Sequence, residues 1–288
     1  MENSITTEKL NKNYGTLQAV KDLYLQVHYK EIFGFLGPNG AGKTTTIRVL
    51  TTLTKPTSGY ASVGGFDVVK ETAKVKRMIG VVQQHLTLDR DLTVRENMEF
   101  HARLHRLSTL ERKKRIAELL EYVDLQEYAD KMVDTLSGGM KKRAAIVCSL
   151  LHEPKVLFLD EPTEGLDAQA RRRLWDLVRR LNAEGTTIFL TTHYIEEAEA
   201  LCGRVGIMNH GKLIALGTPV ELRRKLGPVA VELLIDNKET RYQFFSDRNE
   251  ATRYVEKLPA NVRTIIRDSN LEDVFLEQTG ERVDNTDV

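Results

Sequence analysis

The sequence predicts an α/β fold built on a mostly parallel sheet, and three observations carry that expectation. Short continuous apolar runs recur at Ile32-Phe-Gly-Phe-Leu36, Val156-Leu-Phe-Leu159, Thr187-Ile-Phe-Leu-Thr191 and Val205-Gly-Ile-Met208. Helical stretches at Arg171 to Leu181 and Ile195 to Leu201 lie between the later ones. Strands that are apolar on both faces belong in a parallel sheet covered on both sides. Third, the glycine-rich segment Gly37-Pro-Asn-Gly-Ala-Gly-Lys-Thr44 joins the first of these strands to a helix running from Thr44 to Thr52.

The elements follow in order. Residues 1 to 35 read as strands, with Ala19 to Val27 partly alternating, and Lys55-Pro-Thr-Ser-Gly59 ends the first helix. Tyr60 to Val63 and Phe66 to Val69 flank Gly64-Gly65, a hairpin signal that gives the N-terminal part an antiparallel β subdomain. From Thr93 to about Met132 the chain is charged and helical, with Leu104, Leu107, Ile116, Leu119, Leu120 and Val123 as its apolar positions. This predicts an inserted helical subdomain over about residues 90–150. Leu226-Gly-Pro228 marks a boundary. Beyond it, strands at Val229 to Ile235, Arg241 to Phe245 and Val262 to Ile266, with helices at Arg248 to Leu258 and Leu271 to Gln278, predict a small α+β unit. The expected division is 1–227, 228–280, and a flexible tail over 281–288.

The bulk properties narrow the function. The chain has 288 residues, 41% hydrophobic and 29% charged, with a net charge of +1, so it lacks the basic footprint of a nucleic-acid-binding protein. From Pro228 onward eight basic residues face thirteen acidic ones, which suits a solvated accessory unit. No apolar run reaches the roughly 18 residues of a membrane span, and the polar start is unlike a secretory signal, so a cytoplasmic location is expected. Cys148 and Cys202 sit in apolar surroundings without metal-ligand spacing and read as buried thiols.

Two motifs carry chemistry. A loop of the form Gly-x4-Gly-Lys-Thr between strand and helix turns backbone N–H groups and a helix N-terminus toward phosphate. Gly37, Pro38, Asn39, Gly40, Ala41, Gly42, Lys43, Thr44 and Thr45 are therefore candidate nucleotide contacts, with the Lys43 ammonium at the β- and γ-phosphates and the Thr44 hydroxyl on Mg²⁺. Asp160 and Glu161 follow a buried strand at the end where ligands of open α/β sheets bind. Asp160 suits the metal, and Glu161 suits the general base that polarises a water. ATP and Mg²⁺ are the expected ligands of this P-loop NTPase core.

Leu136-Ser-Gly-Gly-Met-Lys-Lys-Arg143 resembles the signature sequence of ABC-type ATPases. Ser137 can cap the following helix, and Gly138 and Gly139 let backbone approach a second phosphate. The resemblance covers roughly residues 5 to 220. It implies that two ATP molecules lie between head-to-tail subunits, so a second copy or a homologous ATPase is the expected partner. It also implies that Tyr14 stacks on adenine, that Gln84 senses Mg²⁺ and water, that Asp167 lies at the subunit contact and that His193 contacts the γ-phosphate. Met140 and Glu164 depart from the usual family residues, and Glu164 is expected to add negative charge near the subunit interface. The signature, Lys43-Thr-Thr-Thr-Ile47 and Leu271-Glu-Asp-Val-Phe-Leu-Glu-Gln-Thr-Gly280 resemble ATP-binding subunits of daunorubicin-resistance-type exporters. That resemblance implies a separate transmembrane permease, a place at the inner face of the membrane, and a drug, lipid or other amphipathic substrate. The rival is a non-transport ABC ATPase acting on a soluble macromolecule.

Overall fold

The structure is a computed structural model that describes residues 2–84, 88–235, 239–259 and 262–279. The expected flexible tail over 281–288 lies outside the described residues. The chain opens with β1 (Asn3–Tyr14), β2 (Leu17–His28) and β3 (Ile32–Leu36), then α1 (Lys43–Leu50), β4 (Ser58–Val63), β5 (Phe66–Asp67), α2 (Thr72–Met78) and β6 (Ile79–Val82). The helical stretch holds α3 (Val94–Leu104), α4 (Thr109–Tyr122) and α5 (Gly138–Leu150). There follow β7 (Val156–Asp160), α6 (Ala168–Ala183), β8 (Thr187–Thr192), α7 (Ile195–Leu201), β9 (Arg204–Asn209), β10 (Lys212–Gly217) and α8 (Pro219–Leu226). The chain continues through β11 (Val229–Ile235), β12 (Glu239–Phe245), α9 (Arg248–Val255), β13 (Arg263–Asp268) and α10 (Leu271–Thr279).

A six-stranded sheet in the order β10-β9-β3-β8-β7-β6 forms the centre, parallel throughout except where β10 runs against β9. Every residue of β3, β7 and β8 is buried, and the period of two sends alternate side chains to opposite faces. Ile32, Leu36, Leu157, Leu159, Ile188 and Leu190 join the helices α3 to α7 on one side. Phe33, Phe35, Phe158 and Phe189 meet α1 and the antiparallel sheet β2-β1-β4-β5 on the other. Ring centroids 5.5 Å apart in the Phe33–Phe189 and Phe158–Phe189 pairs make an aromatic layer between the sheets. The predicted α/β core, antiparallel β subdomain and helical insertion are thus present.

Helix starts follow their side chains. Thr93 with Glu96, Ser108 with Glu111 and Thr218 with Glu221 form reciprocal capping boxes at α3, α4 and α8. The sequence reading passed over α8 and β10, although Thr218-Pro-Val-Glu221 carries a cap and Pro at the first turn. Strand β10 is half-buried, and the turn leading into it uses His210 at φ 46° and Gly211 at φ 81°, a two-residue hairpin loop. Two further expectations are corrected. The strand proposed to reach Val69 stops at Asp67, whose carboxylate turns the chain by accepting from Val69 and Lys70 N–H at 2.7 and 2.9 Å. Leu104 is 63% exposed, because the buried stripe of α3 runs through Val94, Met98 and Ala102 and Leu104 is roughly 200° further round the helix from Ala102.

The third sheet, β12-β11-β13, packs α9 through Val229, Val231, Leu233 and Ala251. Helix α10 leaves this sheet and returns to the α/β core, burying Leu271, Val274 and Phe275 in the same cluster as Leu222 of α8. Arg267 grips Asp273 with two hydrogen bonds of 2.7 and 2.8 Å, and Leu271 N–H donates to Glu199 of α7 at 3.2 Å. Phe275→Ala, at a position 0% exposed, is expected to cost about 3–5 kcal/mol in denaturant unfolding, and a loss below about 1 kcal/mol would show that the helix only rests on the core.

Candidate active site

The glycine loop places α1 so that its N-terminus opens the site. Gly42 caps α1 at φ 105° without a side-chain bond, leaving first-turn N–H groups for an anion. A Cβ on Gly37 would lie 2.3 Å from Met208 O, and one on Gly42 would lie 2.3 Å from Ala19 O, so both positions require glycine. Lys43 is 4% exposed; its Nζ donates to Gly37 O at 2.8 Å and Pro38 O at 3.1 Å, and lies 3.2 Å from Glu161 Oε1. Burial pushes the lysine below its ordinary value despite the opposing pull of Glu161, Asp160 and Glu164.

The end of β7 supplies the two carboxylates. Asp160 Oδ1 accepts from Thr191 Oγ1 at 2.6 Å and from Thr44 Oγ1 at 3.1 Å, joining the neighbouring strand and α1. Burial raises the Asp160 carboxyl above its usual range, and these two hydroxyls only partly offset it. Glu161 turns into the left-handed region at φ 48°, a strained backbone held by its N–H donating to Thr191 O and Oγ1 at 3.2 and 3.1 Å. His193 Nδ1 is 3.0 Å from Glu161 Oε2. Burial raises Glu161, but the His193 hydrogen bond and Lys43 outweigh it and bring the carboxyl below its ordinary value.

Thr44 and Asp160 present two hard oxygens side by side. Among the described residues no group of three or more His, Cys, Asp or Glu side chains is arranged to hold a metal alone. A donor set this small fits Mg²⁺, which keeps waters and shares substrate phosphates instead of filling a protein cage.

A cleft of 520 Å³ lies over the loop. It gathers Tyr14, Asn39 to Thr45, Gln84 and Glu161, while Asp160 joins through Thr44, His193 through Glu161, and Gly37 and Pro38 through Lys43. Tyr14 is 44% exposed at the end of β1, with Lys12 Nζ 4.8 Å from its ring centroid. Glu164 also lines this cleft and accepts from Gln84 Nε2 at 2.9 Å, which places its charge on the same cleft as Glu161.

Ser137, Gly139 and Asp167 line a separate cavity of 460 Å³ with Tyr128, Arg143 and Arg173. Ser137 caps α5 by accepting from Met140 N–H at 3.4 Å, and Asp167 caps α6 by accepting from Ala170 N–H at 2.8 Å. Gly138, beside them at the start of α5, has only Leu166 within 4 Å of a hypothetical Cβ. A Cβ on Gly139 would meet Ala170 Cβ at 2.9 Å, which keeps the two helix starts in contact.

Known proteins resemble this chain in sequence and in fold. A family profile described as "ABC transporter" matches residues 20–164, and one described as "AAA domain, putative AbiEii toxin, Type IV TA system" matches residues 132–199. The daunorubicin resistance ATP-binding protein DrrA3 of Streptomyces coeruleorubidus is 44% identical over 81% of this chain and 74% of its own. The chain belongs to the ABC transporter family. The Nod factor export ATP-binding protein I of Paraburkholderia xenovorans is 39% identical over 97% of this chain and 98% of its own. Among solved structures, the dimeric post-hydrolysis state of the ATP-binding cassette MJ0796 bound to ADP and Pi superimposes with a TM-score of 0.68 at 28% identity, covering 74% of this chain and 98% of that one. The protein is an ABC-type ATPase subunit, related to drug-resistance and export ATP-binding proteins.

Several residues of this ABC ATPase site escaped the sequence reading. Leu17, Gln18, Lys21, His210 and Gly211 line the cleft over the glycine loop from β2 and the β9–β10 turn. The His210-Gly211 turn signal was there to find; the others carry no local pattern. Thr191, which binds both Asp160 and Glu161, sits inside a stretch read only as a strand.

Proposed function

We propose that the chain is the ATP-hydrolysing subunit of a membrane exporter, driven by ATP-dependent closure of a head-to-tail dimer. The observation that carries this reading is the separation of the signature cavity from the P-loop cleft, which leaves Ser137 to Gly139 and Asp167 facing outward, where a second subunit's nucleotide would complete the site. The dimeric state of the MJ0796 cassette bound to ADP and Pi supports a dimer.

Each residue then has a task. Backbone N–H groups of Gly40 to Thr45 cradle the phosphates, and Tyr14 stacks on the base. Thr44 and Asp160 would hold Mg²⁺, with Gln84 beside them, and the ion would neutralise charge on the phosphate oxygens. Glu161 takes the proton of the attacking water, and His193 orients it through Nδ1 while offering its ring to the γ-phosphate. A phosphate that draws Lys43 away removes one of the two partners lowering Glu161, so burial then raises the carboxyl toward the range of a general base.

In this reading residues 1–227 are the ATPase unit, its helical subdomain spans about 90–150, and 228–280 form an accessory unit tied down by α10. Among the described residues no helix is long and apolar enough to cross a membrane. The permease is accordingly taken as a separate chain that brings the ATPase to the inner face of the membrane. A 290 Å³ groove lined by Leu53, Val81, Gln83, Leu88 and His101, beside exposed Phe100 and Leu104, supports a contact there. The names of the relatives support an amphipathic substrate such as a drug or lipid.

The test is co-expression with a candidate transmembrane permease supplied as a separate chain, reading efflux of an amphipathic fluorescent compound. Efflux is expected with the wild type and absent with Lys43→Ala. ATPase activity that responds to ribosomes or DNA, with efflux unaffected by the chain, would favour the non-transport reading.

A further inference from the structure

Lys142 is the one lysine of the signature helix that faces inward. It sits on the second turn of α5, is 6% exposed, and its Nζ donates to Gln84 O at 3.2 Å and to Glu161 O at 3.5 Å. A buried ammonium needs partners of this kind, because burial strips it of its hydration. Burial does push Lys142 below the ordinary lysine value, against the pull of Glu164, Asp160, Glu161 and Glu197.

The contacts close a ring. Gln84 Nε2 donates to Glu164 Oε2 at 2.9 Å, and Glu164 N–H donates to Glu161 O at 3.3 Å, the carbonyl that Lys142 also reaches. Three segments far apart in sequence are thereby held in register: the stretch after β6 at Gln84, the signature helix, and the strained turn at Glu161 that leads through Glu164 to Asp167. The N-terminus of α5 faces the second cavity, while its Lys142 reaches the residues of the first.

We propose that Lys142 and Glu164 are positioning residues for hydrolysis, clamping Gln84 and Glu161 so that the hydrolytic wall of one site is set by the helix that serves the other. The proposal rests on the reading of Glu161 as the base. It assigns Lys142 a donor role toward two carbonyls and Glu164 an acceptor role toward the Gln84 amide, and neither touches the reacting atoms.

Steady-state ATP hydrolysis by the purified full chain tests it, with Lys142→Met, Lys142→Gln, Glu164→Ala and the Met/Ala double variant. Lys142→Met and Glu164→Ala are each expected to lower kcat by about 10-fold or more with KM for ATP within about 3-fold, the mark of lost transition-state positioning. Because they break one ring, the double variant should fall no more than about 2-fold below the weaker single, not to the product of the two losses. Lys142→Gln keeps an N–H donor and should recover most of what Lys142→Met loses. Should Lys142→Met fail to fold, Glu164→Ala decides, since Glu164 is half-buried on a loop. Wild-type kcat in Glu164→Ala, multiplicative losses in the double variant, or no recovery with Lys142→Gln overturns the clamp. Glu161→Gln, run alongside, separates the two readings: wild-type hydrolysis there removes the base assignment, whereas an inactive Glu161→Gln beside a fully active Glu164→Ala removes only the clamp.

Discussion

Glu161→Gln lowers kcat by about 10²- to 10⁴-fold, the contribution of a positioned general base, while ATP still binds. The change is nearly isosteric and leaves the backbone strain at φ 48° as it is, because Gln and Glu share the same Cβ. The Gln amide can still accept from His193, whose Nδ1 lies 3.0 Å from the present carboxylate. Lys43 loses an ionised neighbour at 3.2 Å but keeps Gly37 O and Pro38 O, so the phosphate cradle remains intact. What disappears is the capacity to take a proton from water. An enzyme that binds ATP and cannot turn it over accumulates the closed state, so light scattering should show a dimer in ATP that persists for the variant and decays for the wild type. A variant that hydrolyses at the wild-type rate would falsify the assignment of Glu161, and one that stays monomeric in ATP would separate the chemistry from the proposed dimer.

The parts of this site legible in the sequence are those where backbone rules dictate residue type. Gly37 and Gly42 are fixed by atoms 2.3 Å from a hypothetical Cβ, and such glycines between an apolar strand and a helix announce a loop that approaches a ligand closely. Asp160 and Glu161 were legible because charges directly after four buried apolar residues have no packing reason to be there. The continuous apolar runs also announced a sheet covered on both faces, because such strands have no polar side to turn to water. Thr191, Lys142 and Glu164 were not legible, because their meaning lies in partners 31, 58 and 80 residues away. Glu164 is instructive: the sequence marks only its departure from the usual family residue, and the fold shows the side chain accepting from Gln84. Leu104 failed for the opposite reason, an apolar residue counted as core by spacing although the α3 stripe points elsewhere. Periodicity identifies a face, but it does not say which member of an apolar set lies at its edge.

Lys43→Ala is the second large effect, expected to weaken ATP binding by between about 30-fold and several thousand-fold, which corresponds to the 2–5 kcal/mol lost when one partner of a buried, hydrogen-bonded charge pair is truncated. Two consequences follow from the geometry. The triphosphate loses its point charge while the N–H groups of the loop survive, so affinity falls without the cleft collapsing. Glu161, at present brought below its ordinary value by His193 and Lys43, keeps only the histidine, while burial continues to push it up. Its folded-state value therefore rises. A carboxyl with a depressed folded-state value adds stability above its unfolded value and loses it as the pH falls through the folded one. Lys43→Ala should shrink that contribution, so the variant loses less stability than the wild type on acidification through the carboxylate range. Equilibrium binding of a fluorescent ATP analogue reads the first effect, and denaturant unfolding at acidic and neutral pH reads the second. Unchanged nucleotide affinity would remove the loop from the phosphate site. An unfolding curve whose pH dependence matches the wild type would mean that the ion pair with Glu161 contributes nothing to the resting protein, and that His193 alone holds the base.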